Sequence, residues 1–352
     1  MPYAVIMAGG AGTRLWPAAR RDNPKQLQRL IYEEPIVAVT VRRLQPTFPL
    51  DHCYIVTAAR YADPIRSVLP ELPPENVISE PFGRNTAAAI ALAAFRIAAR
   101  EPEEVFAVFP ADHVVLHPDK LQHAVNFSLP LARAHTVVDI GVPPTHPETG
   151  YGYIELGKPI EDRDGLTAYS VRRFVEKPDL ATAQGYLQTG HYMWNSGMFV
   201  WQAATFLNAL REHLPETFRA LTDAEAIGTE DALQSAYAAI PDISVDYAIM
   251  ERVSDVVAVP AEFGWRDVGD WNALYELMPH DEAGNAYEGT HVTLDASGSL
   301  LLAPNKLIAA IGVEDLVVVD TPDVLLVMRR DRAQDVKKIL DKLKERGDDA
   351  VL

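Results

Sequence analysis

Short apolar runs rich in β-branched and aromatic residues alternate along the first half of the chain with longer segments of helical character. The apolar runs predict strands at residues 3–7, 54–57, 105–109 and 137–140. The clearest predicted helix is the alanine-rich segment 86–100, and Asn85 or Thr86 is expected to cap its N-terminus. This alternation indicates a parallel sheet with helices on both faces.

Two of the predicted strands end in segments that suggest ligand binding. A glycine cluster follows Met7, and Asp112 comes shortly after the run that ends at Phe109. In open α/β sheets, ligands bind outside the carboxyl ends of the strands. We therefore expect the glycine cluster and Asp112 to face one crevice.

The pattern changes in the second half of the chain. Residues 141–199 are rich in proline, glycine and aromatic residues, which favours loops and a mixed part of the sheet, and residues 202–240 are predicted to be helical. Segments rich in β-formers then occupy residues 291–302, 307–312 and 316–319. We therefore expect a large α/β domain over residues 1–280 and a C-terminal β unit over residues 285–352.

An amphipathic helix is predicted near residue 340. Val336, Ile339, Leu340 and Leu343 stand at helical spacing and would share one apolar face. We interpret it as a packing helix, with a contact in a homodimer as the alternative.

Net charge, apolar runs and cysteine content restrict the expected partners and the expected cellular compartment. The 352 residues carry a net charge of −17, which argues against nucleic acid or an anionic membrane surface, because both require a positive field. No apolar run approaches the roughly 18 residues of a membrane span, and the first residues lack the basic region of a signal peptide. The single cysteine, Cys53, rules out an internal disulfide, so we expect a cytoplasmic protein.

The most informative stretch is the segment 8–26, which reads AGGAGTRLWPAARRDNPKQ. Glycines after a strand let backbone N–H groups approach a polyphosphate closely, and Arg14 and Lys25 supply positive charge. The segment lacks the Lys-Ser or Lys-Thr pair of a P-loop, and Leu15 stands where the dinucleotide-binding fingerprint requires glycine. The loop therefore predicts a phosphate-binding site in a protein that is neither an ordinary ATPase nor an ordinary dehydrogenase.

Six further motifs follow this glycine segment along the chain. They read EPFGRNT (80–86), FPADH (109–113), TGYGYI (149–154), FVEKP (174–178), WNSGMF (194–199) and GWRDVG (264–269). Together with the glycine segment, these motifs resemble the sugar-1-phosphate nucleotidyltransferases and, within that family, the mannose-1-phosphate guanylyltransferases. The resemblance covers residues 8 to about 270, and it implies that residues 1–280 form the catalytic domain.

The resemblance implies both a fold and a reaction. The fold is a Rossmann-like mixed, mostly parallel sheet flanked by helices, followed by a small C-terminal unit similar to a left-handed β-helix. The reaction is transfer of GMP from GTP to mannose 1-phosphate, which gives GDP-mannose and pyrophosphate with the help of Mg²⁺. Because both substrates are anions, positioning and electrostatics should supply most of the acceleration.

Four residues resemble the family's catalytic set. The resemblance directs Arg14 toward the β- and γ-phosphates and Lys25 toward the α-phosphate in the transition state. Asp112 and Asp267 are the expected ligands of Mg²⁺, which prefers one or two carboxylates together with phosphate oxygens and water. Arg266, next to Asp267, departs from the small polar residue that is more common in the family.

The resemblance also implies two sets of binding residues. On the nucleotide side they are Ala8, Gly9, Gly10, Gly12, Thr13, Arg14, Glu80, Pro81, Gly83, Asn85, Thr86 and Asp112. On the sugar-phosphate side they are Gly150, Tyr151, Glu176, Lys177 and Asn195. A carboxylate can accept hydrogen bonds from two sugar hydroxyls, and a lysine can hold the phosphate.

Ordinary structural roles are the alternatives for single residues. Asp112 and Asp267 would then occupy a turn or cap a helix, and Glu176 with Lys177 would form a surface ion pair. His113 is not assigned as a base, because a phosphate nucleophile is already ionised at pH 7. The alternative functions are a nucleotidyltransferase for dTTP or UTP with glucose 1-phosphate, and a non-catalytic homologue that binds nucleotide sugars.

Overall fold

The protein is described by a computed structural model that covers residues 1–10 and 12–352. Its strands are β1 (Tyr3–Met7), β2 (Cys53–Ala58), β3 (Val77–Glu80), β4 (Val105–Pro110), β5 (His113–Val115), β6 (Val137–Val142), β7 (Gly152–Arg163), β8 (Leu166–Glu176), β9 (Tyr192–Gln202), β10 (Val256–Pro260), β11 (Trp265–Asp267), β12 (Ala286–Glu288), β13 (His291–Leu294), β14 (Leu300–Leu302), β15 (Ile308–Ile311), β16 (Leu316–Asp320) and β17 (Leu325–Arg329). Its α-helices are α1 (Ile36–Arg43), α2 (Ala59–Val68), α3 (Asn85–Arg100), α4 (Pro118–Leu131), α5 (Leu180–Thr189), α6 (Ala203–His213), α7 (Pro215–Ile227), α8 (Glu230–Ala239), α9 (Trp271–Leu277) and α10 (Val336–Arg346).

The described residues form two compact units. The first, which we call the sheet unit, comprises residues 1–9, 40–111 and 115–265. The second, which we call the ladder unit, comprises the described residues 10, 12–39, 112–114 and 266–352. Among the helices of the described residues, none has both the length and the apolar character that a membrane crossing requires.

A nine-stranded sheet forms the centre of the sheet unit, in the order β3-β2-β1-β4-β9-β6-β10-β8-β7. Seven of its strands run in one direction, and β8 and β9 run in the other. The four strands predicted from the apolar runs are β1, β2, β4 and β6, and nearly all their residues are buried, as expected for strands covered on both faces. The predicted mixed, mostly parallel sheet is therefore confirmed.

The alanine-rich helix α3 packs against this sheet. Most of its side chains are buried, and they join one apolar cluster with residues of β1 and β4. Alanine is the strongest helix former, so the composition of α3 favours the helix before any packing takes place. The predicted helix over residues 86–100 is confirmed, and the helical segment 202–240 is confirmed as α6, α7 and α8.

The prediction that Asn85 or Thr86 caps α3 is wrong. Asn85 has a left-handed backbone with φ of 65°, and its Oδ1 accepts a hydrogen bond from the Thr86 backbone N–H at 3.0 Å. The Thr86 hydroxyl oxygen accepts a hydrogen bond from the Val245 backbone N–H at 2.9 Å. Both side chains therefore have other partners, and α3 begins without a side-chain cap.

Short stacked strands form the ladder unit. One sheet has the order β12-β14-β16-β17 and another pairs β13 with β15. In the parallel part of the first sheet, Leu300 pairs with both Ala286 and Val317, so apolar side chains stack from strand to strand. This regular stacking is the arrangement of a β-helix, and it confirms the predicted C-terminal β-rich unit.

Helix α10 packs inside the ladder unit. Val336 and Leu340 are buried in an apolar cluster that includes Leu15 and Trp16, whereas Ile339 is exposed. The Trp16 indole Nε1 donates a hydrogen bond to the Val351 carbonyl oxygen at 2.6 Å. The chain that follows the glycine loop is thus fixed to the C-terminal helix region.

Candidate active site

A pocket in the ladder unit brings together four parts of the chain that are far apart in sequence. It encloses about 300 Å³ and is lined by Gly12, Thr13, Arg14, Lys25, Asp112, Asp267, Val268, Gly269 and Lys337. We call it the Lys25 pocket. The structure therefore brings together all four residues that the sequence analysis assigned to catalysis.

Lys25 is the central cation of this pocket. Its side chain is almost fully buried, and its Nζ donates a hydrogen bond to Asp112 Oδ2 at 2.7 Å and lies 3.6 Å from Asp267 Oδ1. A buried ammonium requires such counter-charges. Gly12 is needed beside it, because its φ is 64° and a Cβ atom there would lie 2.3 Å from the Lys25 Cβ.

The positive charges around Asp112 favour its carboxylate form. Burial alone would raise the pKa of Asp112, but the charges of Lys25 and His113 outweigh burial and lower this pKa to about 2. The His113 Nε2 lies 3.9 Å from Asp267 Oδ1, so the imidazole is next to both carboxylates. Lys25 and the two carboxylates therefore form one electrostatic cluster in the pocket.

These carboxylates also fit a divalent metal. Both reach the Nζ of Lys25, and the side chains of Asp112 and Asp267 are 36% and 35% exposed, so both are open to a ligand. Across the described residues, no three His, Cys, Asp or Glu side chains are grouped to hold a metal. A hard divalent cation needs only one or two carboxylates when phosphate oxygens and water complete its coordination. The donor set therefore suits a cation that binds together with a polyphosphate.

Asp270, rather than Asp267, caps the helix that follows this segment. The Asp270 Oδ1 accepts a hydrogen bond from the Ala273 backbone N–H at 3.0 Å, at the N-terminus of α9. Asp267 ends β11, which pairs with β5. Asp270 therefore has the helix-capping role that was the structural alternative for Asp267.

Arg14 contributes a second cation to the Lys25 pocket. It lies in a short 3₁₀ helix, Thr13–Leu15, whose Leu15 is buried in the core of the ladder unit. The Arg14 Nε is buried and has no hydrogen-bond partner among the described residues. A planar guanidinium with free N–H groups suits phosphate oxygens.

The residues predicted on the nucleotide side are divided between the two units. Gly10, Gly12, Thr13, Arg14 and Asp112 belong to the ladder unit, and Ala11, inside the predicted glycine segment, lies outside the described residues. The others belong to the sheet unit, where they follow β1 or lie between the end of β3 and the start of α3: Ala8, Gly9, Glu80, Pro81, Gly83, Asn85 and Thr86.

Glu80 lies against the glycine loop within the sheet unit. A Cβ atom placed on Gly9 would lie 3.5 Å from Glu80 Oε2, and Glu80 Oε1 accepts a hydrogen bond from the Tyr237 hydroxyl at 3.2 Å. Burial raises the pKa of Glu80 to about 7, although the Tyr237 hydrogen bond acts in the opposite direction. Glu80 therefore supports the loop from inside the protein.

The residues predicted on the sugar side surround the paired ends of β7, β8 and β9. Glu176 ends β8 opposite Gly152, and a Cβ atom at Gly152 would lie only 2.5 Å from Glu176 Oε2. The Lys177 Nζ donates a hydrogen bond to Glu176 Oε1. The carboxylate and the ammonium are therefore presented together at one strand end.

Two further predicted residues occupy the loop before β7. The Gly150 backbone N–H donates a hydrogen bond to Glu148 Oε1 at 2.8 Å. The Tyr151 ring packs edge-on against the rings of Trp194 and Trp265, with centroids 5.4 and 5.0 Å away. Aromatic packing thus holds the loop that carries both residues.

Asn195 is held by an acidic residue that the sequence analysis missed. The Asn195 Nδ2 donates a hydrogen bond to Asp246 Oδ1 at 2.8 Å, and the Asn195 Oδ1 accepts one from the Gly197 backbone N–H at 2.8 Å. Burial, followed by the nearby charge of Glu176, raises the pKa of Asp246 to about 6. Asp246 lies in a π-helix, Asp246–Met250, a rare element that often marks functional sites.

A second missed carboxyl group is Asp139, in the middle of β6. It is fully buried, and neither of its carboxylate oxygens has a hydrogen-bond partner among the described residues. Burial and the charge of Asp246 raise the pKa of Asp139 well above its usual range. An acidic residue inside the otherwise apolar run 137–142 is the sequence signal that identifies it.

Replacing Asp139 with asparagine should stabilise the protein increasingly as pH rises. Because the folded protein binds the Asp139 proton more tightly than the unfolded chain, wild-type stability falls as pH rises above about 4, whereas the amide of the variant does not titrate. Each unit of raised pKa corresponds to about 1.4 kcal/mol. Urea unfolding of wild type and variant between pH 4 and pH 8 measures this difference.

The matched control is Asp223→Asn, which removes an exposed carboxylate from α7. Its free energy of unfolding should follow the wild-type pH dependence. Parallel curves for Asp139→Asn and wild type over the whole range would contradict the raised pKa of Asp139.

The fold and the Lys25 pocket together define a transferase of the nucleotidyl transferase class. Residues 3–284 match the family model described as nucleotidyl transferase, and residues 289–343 match the model described as MannoseP isomerase/GMP-like beta-helix domain. The chain belongs to the nucleotidyl transferase family, whose members generally use a divalent metal. The family resemblance found in the sequence is therefore confirmed.

Two curated relatives and one solved structure are similar to this chain over nearly its whole length. The mannose-1-phosphate guanylyltransferase of Escherichia coli K12 is 40% identical over 355 residues, which cover 98% of this chain and 74% of that protein. The xanthan biosynthesis protein XanB of Xanthomonas campestris pv. campestris strain B100 is 40% identical over 353 residues, or 97% of this chain and 73% of that protein. A solved structure from Thermus thermophilus, described as a mannose-1-phosphate geranyltransferase, is 36% identical with a TM-score of 0.87 and covers 97% of this chain and 99% of that chain.

Proposed function

We propose that this protein is a mannose-1-phosphate guanylyltransferase that uses GTP, mannose 1-phosphate and Mg²⁺. The observation that carries the proposal is the Lys25 pocket, in which Arg14 and Lys25 meet the carboxylates of Asp112 and Asp267. The relatives described above support the choice of guanine and mannose.

In the proposed reaction, a phosphate oxygen of mannose 1-phosphate attacks the α-phosphorus of GTP. A new P–O bond forms, the bond from the α-phosphorus to the bridging oxygen breaks, and pyrophosphate leaves with the electron pair. No general base is needed, because the attacking phosphate is already ionised at pH 7. Catalysis then depends on holding two anions in line and on neutralising the charge that develops.

Four side chains of the Lys25 pocket have roles in this scheme. The buried Lys25 stabilises the charge on the α-phosphate in the transition state, and Arg14 binds the β- and γ-phosphates. Asp112 and Asp267 would hold Mg²⁺, whose charge neutralises phosphate oxygens when it is bound. Local positive charge of this kind is necessary because the chain as a whole carries a net charge of −17.

The sugar-side residues have complementary roles in the proposal. Glu176 accepts hydrogen bonds from sugar hydroxyls, and Lys177 binds the sugar phosphate. Asn195 donates a hydrogen bond to the sugar or accepts one from it. Asp246 fixes the orientation of the Asn195 side chain through the 2.8 Å hydrogen bond. Residues 1–280 as the catalytic domain, the homodimer and the cytoplasmic location stay predictions from the sequence.

GTP with mannose 1-phosphate should give the highest turnover among all pairs of four nucleoside triphosphates with mannose 1-phosphate or glucose 1-phosphate. The measurement is pyrophosphate release by the purified protein in the presence of Mg²⁺. A preference for dTTP or UTP with glucose 1-phosphate would assign the protein to another branch of the family. Binding of GDP-mannose without any turnover would favour the regulatory alternative.

A further inference from the structure

Helix α10 presents one lysine to the Lys25 pocket. Lys337 is the second residue of α10, and it lines the same pocket as Arg14 and Lys25. Its neighbours on either side have other roles, since Val336 is buried in the core and Lys338 forms an ion pair with Asp335 at 2.7 Å. Lys337 is therefore the residue of this turn that the fold directs to the pocket.

The backbone around Lys337 is held firmly within the ladder unit. Val336 and Leu340 pack in the same apolar cluster as Leu15, which directly follows Arg14. The hydrogen bond from the Trp16 indole to the Val351 carbonyl ties the same segment to the region after α10. The start of α10 and the Arg14 segment therefore pack against the same apolar cluster.

The charges in the Lys25 pocket are not balanced. Lys25 is matched by Asp112 and Asp267, whereas Lys337 has neither an ion pair nor a hydrogen bond within the described residues. The Arg14 Nε is likewise without a partner there. The pocket lining therefore carries three basic side chains, Arg14, Lys25 and Lys337, against two carboxylates, and a bound anion would offset the excess positive charge.

We infer that Lys337 binds the β- and γ-phosphates of the nucleoside triphosphate and hence the pyrophosphate that leaves. The identity of the nucleotide rests on the proposed function, but the binding of a diphosphate group does not. Lys25 is buried between the two carboxylates, so it serves the reacting phosphate, whereas the exposed Lys337 serves the terminal phosphates. The C-terminal β unit therefore supplies a substrate-binding residue to the Lys25 pocket.

A lysine suits the binding of a leaving group. Its ammonium is a point charge on a flexible stem, so it can follow the pyrophosphate without a fixed bidentate geometry. An exposed side chain also loses less of its hydration when it binds and regains it when pyrophosphate dissociates. Lys337 therefore adds affinity for the terminal phosphates without enclosing them.

The test compares Lys337→Gln with Lys338→Gln, which removes the neighbouring charge from the same helix. Titration calorimetry with inorganic pyrophosphate and Mg²⁺ should show about tenfold weaker binding for Lys337→Gln, the size expected for one charged contact. Lys338→Gln should bind as wild type does, because an exposed ion pair contributes little. Lys337→Arg should restore most of the affinity.

Steady-state kinetics distinguish this inference from the proposed function. With GTP and mannose 1-phosphate, Lys337→Gln should raise KM for GTP and leave KM for mannose 1-phosphate unchanged. If the wild type does not turn over these substrates but Lys337→Gln still weakens pyrophosphate binding, the proposed function fails and the inference stands. Equal pyrophosphate affinity for Lys337→Gln and Lys338→Gln, with matching unfolding temperatures, would overturn the inference.

Discussion

Asp267→Asn should reduce turnover at least about 100-fold while the unfolding temperature stays close to that of the wild type. The substitution keeps the shape and hydrogen-bonding capacity of the side chain but removes one of the two negative charges beside Lys25. If Asp267 holds Mg²⁺, the variant should regain part of its activity with Mn²⁺ or excess Mg²⁺. Pyrophosphate release over a metal titration, together with thermal unfolding, measures both effects.

Asp270→Asn is the matched control for this experiment. It makes the same chemical change three residues away, at the cap of α9, where asparagine accepts the Ala273 hydrogen bond about as well. Its activity should remain near wild type. If Asp267→Asn also shows normal activity and normal metal dependence, Asp267 is structural, and a metal would depend on Asp112 alone.

Lys25→Ala should lower kcat by roughly 100- to 1000-fold, with a much smaller change in KM for GTP. A charge directed at the α-phosphate acts most strongly in the transition state, so its loss affects turnover more than ground-state binding. Steady-state kinetics with varied GTP at saturating mannose 1-phosphate give the two constants separately. An unchanged kcat with a raised KM would restrict Lys25 to ground-state binding.

The stability of Lys25→Ala must be measured alongside its activity. Without the ammonium, the carboxylates of Asp112 and Asp267 face each other with less compensation, which favours unfolding. Added Mg²⁺ should restore part of the unfolding temperature, because it replaces the missing positive charge. A kinetic defect that persists at a temperature where the variant is fully folded is then assigned to the reaction.

Local sequence patterns were sufficient for the elements that carry the site. The strands β1, β2, β4 and β6 are continuous apolar runs, and α3 is rich in alanine, so both have strong signals within a few residues. The position of β9 between β4 and β6 has no such signal, because it depends on pairing with strands far away in sequence. Local sequence patterns therefore predict individual strands and helices better than they predict which strands lie next to each other in the sheet.

The same distinction applies to the site. Arg14, Lys25, Asp112 and Asp267 stand in recognisable motifs, and the structure brings them together in one pocket, although their roles stay predictions. Lys337 stands in a helix with an ordinary amphipathic pattern, where nothing in the sequence separates it from other exposed lysines. Only the packing of α10 brings it to the Lys25 pocket.

Asn85 shows that a residue with a high capping preference does not cap a helix when its backbone adopts a left-handed conformation. The sequence places a good capping residue at the start of α3, but Asn85 adopts φ of 65°, which asparagine tolerates better than most residues. The residue that suits a cap also suits a left-handed turn, and sequence alone does not separate the two.

The hydrogen bond from Trp16 to Val351 joins residues 335 positions apart, which has a consequence for the growing polypeptide on the ribosome. The segment 10–39 emerges early, but its packing partners in residues 266–352 are synthesised much later. Contacts of such long sequence separation form late and slowly. The Lys25 pocket includes Lys337, so the nascent chain cannot complete it until translation has passed α10.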